Sequence, residues 1–433
     1  MAHASRRRPA RAARGAARGE APDDVRGVQA RAPLTARQAA YEVVLRVFED
    51  DAYADRVFRS AATGLDPRER ALAQRLAYGT VQRVRTLDHA IETLGRRPVR
   101  KLDAPVRAAL RLGAYQLAYA EGIATHAAVN ETVELVRRAR LERAVAFTNA
   151  VMRRLAAGVK PLIDALPDGA LKHSYPDWIE ASWTRDLGHS AALALMRAQN
   201  EAPETVVRLV RGDPPGEPTD IPGAYRVDRV DEDAAAAGRI WPQSRGSQLA
   251  GLVVGAQEGD RTLDLCAAPG GKATQLAGDV VAVDINEARA RELEANVRML
   301  GAANVQVLHA DALALPAELS GFDRALVDAP CSGLGVLAAR PDLRWRAKPL
   351  PELQLRLVRA AAERVRPGGT IVYSVCTINA DENEAVVDAS GLEIEPLTKE
   401  WPQFAHPRRP EFLVTLPHVH HTSGFFIARL RVT

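Results

Sequence analysis

The chain has 433 residues, enough for two or three domains of ordinary size. With 47% hydrophobic residues, 26% charged residues and a net charge of +4, it has the composition of a globular protein with a sizeable core. No apolar run approaches the roughly 18 residues that a membrane-spanning helix needs. Three cysteines are too few for a disulfide framework, which favours a reducing, cytoplasmic setting and leaves the thiols available for chemistry.

The basic residues are mostly arginine, which binds phosphate as a bidentate fork and favours a nucleic-acid partner. A GC-rich genome would produce the same excess. Residues 1–33 are rich in Arg, Ala and Gly without apolar periodicity, so we expect a disordered basic arm that adds salt-sensitive affinity for RNA. A mitochondrial transit peptide is also rich in arginine, but the acidic Glu20, Asp23 and Asp24 count against one.

From residue 34 to about 158 the pattern is helical. The predicted helices are TARQAAYEVVLRVFED, PRERALAQRLAYGTVQRVRTLDHAIETLG, VRAALRLGAYQLAYA, HAAVNETVELVRRA and VAFTNAVMRRLA. In the fourth, Val129, Val133 and Val136 recur at the spacing of one helix face, while Arg137 and Arg138 leave that face. The residues alone predict a helix bundle with a basic exterior.

Four phrases in this region, RQAAYEVVLRVF, AYQLAY, HAAVNETVELVRRA and FTNAVMRRL, occur in an order that resembles the NusB-type RNA-binding domain. The resemblance implies contact with RNA through the basic helical face. Residues 159–237 then suggest two helices, a strand and short strands joined by loops rich in Pro and Gly. We expect a small α+β connecting domain that contacts RNA.

Residues 238–433 alternate strands with helices, which predicts an α/β domain with a mostly parallel sheet. An apolar strand over residues 262–265 leads into a glycine loop, after which we expect a helix. The next strand, VVAVD, ends in Asp284, twenty positions after Asp264, as in a Rossmann-like nucleotide site. A third strand, VQVLHAD, ends at Asp311, the third acid in order after Asp264 and Asp284.

The glycine loop also distinguishes between two cofactor classes. A dinucleotide-binding loop needs a third glycine, in the pattern G-x-G-x-x-G, which is missing here. S-adenosylmethionine (SAM) has no pyrophosphate and does not need that loop. The sequence therefore favours a methyltransferase.

Two cysteines follow predicted strands of this sheet. LVDAPCSGLG places Asp328 and Cys331 after the fourth strand, and TIVYSVCT places Cys376 after the fifth. A buried cysteine is usually inert packing, but two thiols beside one SAM site suggest covalent chemistry on a base. A thiolate that adds to C6 of cytosine activates C5 for methylation, Asp328 can assist at N3, and the base must be flipped out or unpaired.

The phrases LDLCAAPGGKATQLA, VVAVD, DRALVDAPCSGLGVLAARPDLRW, PGGTIVYSVCTI and GFFIARL resemble successive motifs of the RNA cytosine-5 methyltransferases. The NusB-like region narrows the resemblance to the subfamily called ribosomal RNA small subunit methyltransferase B, which implies cytosine 967 of 16S rRNA as substrate, in customary rRNA numbering. One departure is that Ala380-Asp381-Glu382-Asn383-Glu384 stands where the family has Pro-Glu-Glu-Asn-Glu.

The resemblance implies that Cys376 is the nucleophile, that Cys331 assists product release and that Asp328 engages the cytosine. The SAM contacts it implies are Cys266, Ala267, Ala268, Pro269, Gly270, Gly271, Lys272, Asp284, Asp311 and Asp328.

Other readings remain open. An adenine amino-methyltransferase would share the fold but normally has D/N-P-P-Y/F where this chain has Asp328-Ala329-Pro330-Cys331. The protein could instead be a non-catalytic RNA-binding factor, or it could carry out the same reaction on another rRNA cytosine or on tRNA. His418, His420 and His421 could bind a metal, but a surface or RNA-facing cluster is favoured, and we expect a metal-independent monomer without membrane contact.

Overall fold

The computed structural model describes residues 35–433. The arm predicted for residues 1–33 lies outside the described residues. No helix within residues 35–433 is long and apolar enough to cross a membrane. The first helices are α1 (Ala36–Glu49), α2 (Ala54–Ala61), α3 (Pro67–Gly95), α4 (Ala104–Ala118), α5 (Thr125–Arg138), α6 (Glu142–Asp164), α7 (Ala170–His173), α8 (Asp177–Leu187) and α9 (His189–Ala198).

Helices α1 to α6 pack around one apolar core, as the periodicity predicts. Val136 is fully buried and Val133 nearly so, whereas Arg137 and Arg138 are exposed. The start of α1 is fixed by a reciprocal cap in which the Thr35 hydroxyl accepts from the Gln38 amide and the Gln38 side chain accepts from the Thr35 amide. Helix α2 was not predicted, and α6 continues beyond residue 158 to Asp164.

A small antiparallel sheet follows the helices, in the order β2-β3-β1-β4. This arrangement confirms the predicted α+β connecting region. Its elements are β1 (Val206–Leu209), β2 (Glu217–Pro218), β3 (Ala224–Arg226), α10 (Glu232–Ala236) and β4 (Ile240–Pro242).

The remaining elements build an eight-stranded sheet in the order β10-β12-β9-β8-β5-β6-β7, with β11 paired to β12. Strands β5 to β9 are parallel, and β10 to β12 are added antiparallel. The predicted fold class is confirmed. The elements are α11 (Arg245–Val254), β5 (Arg261–Leu265), β6 (Asp279–Asp284), α12 (Glu287–Leu300), β7 (Val305–His309), β8 (Phe322–Asp328), α13 (Leu343–Arg346), α14 (Pro351–Ala362), β9 (Val365–Val375), α15 (Glu384–Ser390), β10 (Glu393–Glu395), β11 (Leu413–Thr415), α16 (Pro417–His420) and β12 (Phe425–Arg431).

The α-helix predicted after the glycine loop is wrong. Only a short 3-10 turn, Ala273–Gln275, follows Lys272, and β6 begins at Asp279. The chain has too few residues between the loop and β6 for an α-helical crossover. Strand β7 also ends earlier than predicted, so that Asp311 lies just beyond it in a turn.

Arg344 joins the helices to the segment between β8 and β9 of the eight-stranded sheet. Its side chain is fully buried, and its Nη1 donates to the carbonyls of Gln82 and Ser174 and to Asn200 Oδ1, each at 3.0 Å. The guanidinium lies 3.7 Å from the centre of the Tyr175 ring. No carboxylate within residues 35–433 forms an ion pair with it, and burial lowers the pKa of Arg344 to about 10. Neutral backbone and side-chain acceptors therefore surround this charge.

We expect Arg344→Ala to lower the free energy of unfolding by about 3 kcal/mol, because it leaves several buried acceptors unpaired and opens a cavity. Chemical denaturation measures the change. The matched control is Arg291→Ala, which removes an arginine 72% exposed on α12 and should change stability by less than about 0.5 kcal/mol. Equal effects of the two substitutions would contradict the structural role of Arg344.

Candidate active site

The site lies where the strand order reverses. Strand β5 is flanked by β6 on one side and β8 on the other, all parallel, so that the loops leaving β5 and β8 diverge. Ligands of open α/β sheets bind at such a point, outside the carboxyl ends of the strands. The glycine loop follows β5, and Asp328 ends β8, as the sequence predicts.

Gly270 and Gly271 make the loop fit between its neighbours. Gly270 has φ +105°, and a Cβ there would lie 2.6 Å from Leu293 Cδ1 on α12. A Cβ on Gly271 would lie 2.7 Å from the indole nitrogen of Trp241 in the connecting sheet. Both positions require glycine because the loop is enclosed from two sides.

Side chains of α12 hold the rest of the glycine loop by donating hydrogen bonds to the carbonyl groups of that loop. Arg289 donates to the Ala268 carbonyl at 2.6 Å, and Asn296 donates to the Pro269 carbonyl at 2.9 Å. Cys266, which opens the loop, has φ +68°, and burial together with Asp264 raises the pKa of its thiol to about 12. Cys266 therefore stays a neutral part of the loop.

The acids after β6 and β7 differ in exposure. Asp284 is 4% exposed, accepts from the Asn286 amide at 2.9 Å and lies 3.6 Å from Arg289. Asp311 is exposed and accepts from the Leu313 amide at 2.9 Å. Asp284 is the last residue of β6, and Asp311 lies two residues beyond the end of β7, so both acids are at the same edge of the sheet.

Asp264 is more prominent in the structure than in the sequence, where it only marks the spacing to Asp284. Its side chain is fully buried within β5, and neither carboxylate oxygen has a hydrogen-bond partner. Burial, and next the charge of Asp328, raise its pKa well above the usual value. An orphaned carboxyl group beneath the enclosed glycine loop fits a site for a ligand with a cationic group, such as SAM.

Asp328 is held from both sides. Its Oδ2 lies 2.7 Å from Lys272 Nζ, and its Oδ1 accepts from the Ser374 hydroxyl at 2.8 Å. The Lys272 ammonium also lies 5.3 Å from the centre of the Phe425 ring. Ser374 was not predicted as a site residue; it lies opposite Asp328 in the pairing of β8 with β9.

The two thiols meet as predicted. Cys331 Sγ and Cys376 Sγ are 3.4 Å apart, and both residues are partly accessible. The hydrogen bond between the two thiols lowers the pKa of Cys376, an effect that burial opposes. The same hydrogen bond, together with burial, raises the pKa of Cys331 well above the usual value. The pair thus favours a thiolate on Cys376, stabilised by a protonated Cys331.

Comparisons with known proteins agree with this geometry. Residues 252–431 match the family model described as 16S rRNA methyltransferase RsmB/F, and residues 34–157 match the NusB family. A Synechocystis protein named probable ribosomal RNA small subunit methyltransferase B is 31% identical, over 92% of this chain and 99% of its own length. The chain belongs to the RsmB/F family of 16S rRNA methyltransferases. It is accordingly a SAM-dependent enzyme.

One further relative and two solved structures are also similar to this RsmB/F chain. The Thermus thermophilus ribosomal RNA small subunit methyltransferase B is 36% identical over 74% of this chain and 78% of its own length. A crystal structure of the protein PH0851 has a TM-score of 0.77 at 21% identity and covers 92% of this chain and 99% of that one. A Pyrococcus horikoshii methyltransferase homologue has a TM-score of 0.53 at 26% identity and covers 61% and 97%.

In this RsmB/F chain, helices outside the sheet support both thiol loops. Trp183 on α8 donates to the Ile378 carbonyl at 2.9 Å, two residues past Cys376. Gln199, after α9, donates to the Leu334 carbonyl at 2.8 Å, three residues past Cys331. Gln82 on α3 in turn donates to the Gln199 carbonyl at 3.0 Å. These residues were missed in the sequence because they are distant from every motif.

His418 and His420 lie in the short helix α16, and His421 follows it, whereas the sequence predicted a loop. The Leu416 amide donates to His420 Nδ1 at 2.8 Å, so that this ring caps the start of its own helix, while His421 is exposed. Within residues 35–433, no three His, Cys, Asp or Glu side chains are grouped as metal ligands.

Asp264 makes the stability of the SAM-free protein depend on pH. Its folded pKa is raised above the unfolded value, so the folded state holds a proton that the unfolded state has lost, and stability falls as pH rises between the two pKa values, by up to about 1.4 kcal/mol per pH unit. Asp264→Asn removes this pH-dependent contribution to the free energy of unfolding. We expect the variant to gain stability relative to wild type as pH rises from about 5 to 8, measured by urea denaturation.

The control is Asp279→Asn, which neutralises an exposed carboxylate at the start of β6. Its difference from wild type should not change appreciably over the same pH range. Parallel pH profiles for wild type and Asp264→Asn would show that the buried carboxyl group carries no raised pKa.

Proposed function

We propose that the protein transfers a methyl group from SAM to C5 of a cytosine in 16S rRNA, at position 967 in customary numbering, through a covalent bond between Cys376 and C6. The observation that carries the proposal is the 3.4 Å approach of the two thiols at the carboxyl ends of β8 and β9, beside the glycine loop. Amino-methylation of adenine needs no thiol, so this pair favours cytosine C5 chemistry.

The first steps use Cys376 and Asp328. The Cys376 thiolate attacks C6, and the electrons of the C5–C6 double bond move towards N3. The Asp328 carboxyl group assists at N3 by a hydrogen bond or by protonation. SAM, when bound, supplies the electrophilic methyl group that C5 then takes. The lowered pKa of Cys376 supports this assignment of the nucleophile.

The last steps restore the aromatic base. A base removes the C5 proton, the electron pair re-forms the C5–C6 double bond, and the bond between C6 and the Cys376 sulfur breaks. Cys331, 3.4 Å away, donates its proton towards the departing thiolate. Its raised pKa supports the role of proton donor.

We infer that SAM is held by the glycine loop, by the acids that end β6 and β8, and by the acid just beyond β7. The proposed contacts are Cys266, Ala267, Ala268, Pro269, Gly270, Gly271, Lys272, Asp284, Asp311 and Asp328. The burial of Asp284 and the enclosure of Gly270 and Gly271 support the assignment.

We further propose a division of labour along the chain. Residues 34–158 bind RNA, residues 159–237 connect and contact it, and residues 238–433 catalyse methylation. The exposed Arg137 and Arg138 support an RNA-facing role for the helices. The protein acts as a cytoplasmic monomer on rRNA or a small-subunit precursor.

The substrate is tested by bisulfite mapping of 16S rRNA and tRNA from cells that lack this protein. We expect 5-methylcytosine at position 967 to disappear, and to return on expression of wild type but not of Cys376→Ala. Persistence of every 16S rRNA 5-methylcytosine, with loss of one in tRNA, would move the same chemistry to another substrate.

The two thiol roles are tested by trapping RNA on the enzyme. Cys331→Ala should accumulate a covalent RNA–protein adduct, because attack proceeds while release fails, and Cys376→Ala should form none. Denaturing gel electrophoresis separates the adduct from free protein. The double variant serves as the negative control, and the opposite pattern would exchange the roles.

A further inference from the structure

Glu382 connects the two thiol loops. It is fully buried. Its Oε1 accepts from the Ser332 amide at 3.0 Å, from the Leu350 amide at 3.1 Å and from Gln354 Nε2 at 2.9 Å. Its Oε2 accepts a hydrogen bond from the Ser332 hydroxyl and another from Asn379 Nδ2, the latter at 3.4 Å. Ser332 directly follows Cys331, so the Glu382 carboxylate is hydrogen-bonded to the backbone next to that thiol.

The second thiol loop meets the same carboxylate through Ser332. The Ser332 hydroxyl lies 2.7 Å from the hydroxyl of Thr377, the residue after Cys376. Gln354 donates to the Pro330 carbonyl at 2.9 Å as well as to Glu382, and so encloses the Cys331 loop from its other end. Glu382 is thus the shared acceptor of a network that includes both loops.

No cation accompanies this charge. Within residues 35–433, Glu382 forms no ion pair with any Lys, Arg or His. Four of its five partners are N–H groups, which donate to the carboxylate and cannot accept a proton from it. Burying a carboxylate without a cation costs free energy, and a neutral side chain of the same shape would be easier to bury. A purely structural role therefore does not explain why this residue is charged.

The surroundings of the two thiols are therefore unequal. Glu382 raises the pKa of Cys331, after the larger effects of the hydrogen bond to Cys376 and of burial. On the other side, the Lys272 ammonium lowers the pKa of Cys376, against the opposing effects of burial and Asp328. The backbone next to Cys331 is therefore hydrogen-bonded to a carboxylate without a cation, whereas Cys376 is influenced by Asp328 together with its partner Lys272.

From these contacts we propose that Glu382 is a positioning residue that keeps Cys331 as the protonated thiol of the pair and thereby leaves Cys376 as the attacking thiolate. The proposal rests on the proposed function, since it explains which thiol attacks the base. It gives Glu382 a role that depends on its charge, whereas a purely structural role would depend only on its shape.

The test measures thiol reactivity in the free, full-length enzyme without RNA. Iodoacetamide labels thiolates, and peptide mass spectrometry gives the initial rate at each cysteine as a function of pH. In wild type we expect Cys376 to react first. Glu382→Gln keeps the shape and removes the charge, so the initial rate at Cys331 should rise about tenfold, the change expected when a pKa falls by about one unit.

Two variants separate charge from packing. Asp381→Asn removes the neighbouring carboxylate, which is 58% exposed and pairs with Arg185, so it deletes the same charge from the same loop away from Cys331. Ser332→Ala removes one contact of the network and keeps the carboxylate. Both should leave the rate at Cys331 within about twofold of wild type. With RNA present, adducts on Glu382→Gln should be divided between Cys376 and Cys331.

An unchanged rate at Cys331 in folded Glu382→Gln, or an equal rise in Asp381→Asn, would overturn the proposal. If Glu382→Gln fails to fold, the wild-type labelling rates still test the proposal. Faster labelling of Cys331 than of Cys376 would contradict the assignment of Cys331 as the protonated thiol. The labelling order needs no RNA. A failed bisulfite test with this order intact would therefore reject the substrate and keep the assignment of the thiols.

Discussion

The parallel pairing of β8 with β9 is the constraint on which the site depends. It places Asp328 opposite Ser374, so that the loops leaving both strands begin at the same level of the sheet. Each loop carries a cysteine within three residues of its strand end, and the thiols consequently meet at 3.4 Å. A slip of one residue in this register would turn Asp328 to the other face of the sheet and separate it from Lys272 and Ser374.

The catalytic sheet alone does not complete the site. Trp183 and Gln199 hold the backbones that follow the two thiols, and Gln199 is held in turn by Gln82 of the helical region. Trp241 of the connecting sheet packs against Gly271 of the glycine loop, and Leu293 packs against Gly270. The regions before the sheet therefore contribute to the geometry of the thiols and of the loop, in addition to the RNA binding proposed for them.

Local patterns were sufficient for the parts of the structure that depend on sequence neighbours. The valine spacing in α5, the strand ends at Asp284 and Asp328 and the approach of the thiols follow from periodicity and from the rule that parallel strands end at one edge. The missing helix after Lys272 could have been inferred from the short distance to Asp279. Glu382 and Gln199 could not be assigned from the sequence, because their roles arise from contacts between segments far apart in the chain. Glu382 had one signal, its place in the acidic phrase after Cys376.

Arg344 also has a consequence for the order of folding. Its partner Gln82 precedes it by 262 residues, so during synthesis the helical region emerges long before the guanidinium that its carbonyls accept. Until then, the carbonyls of Gln82 and Ser174 are open to water, and Trp345 has not yet reached the Val81 carbonyl. Contacts of such long sequence separation form late, since the loop between them must close first. Docking of the segment between β8 and β9 thus adds Arg344 and Trp345 to the contacts that join the helices to the sheet, and it also completes the active site.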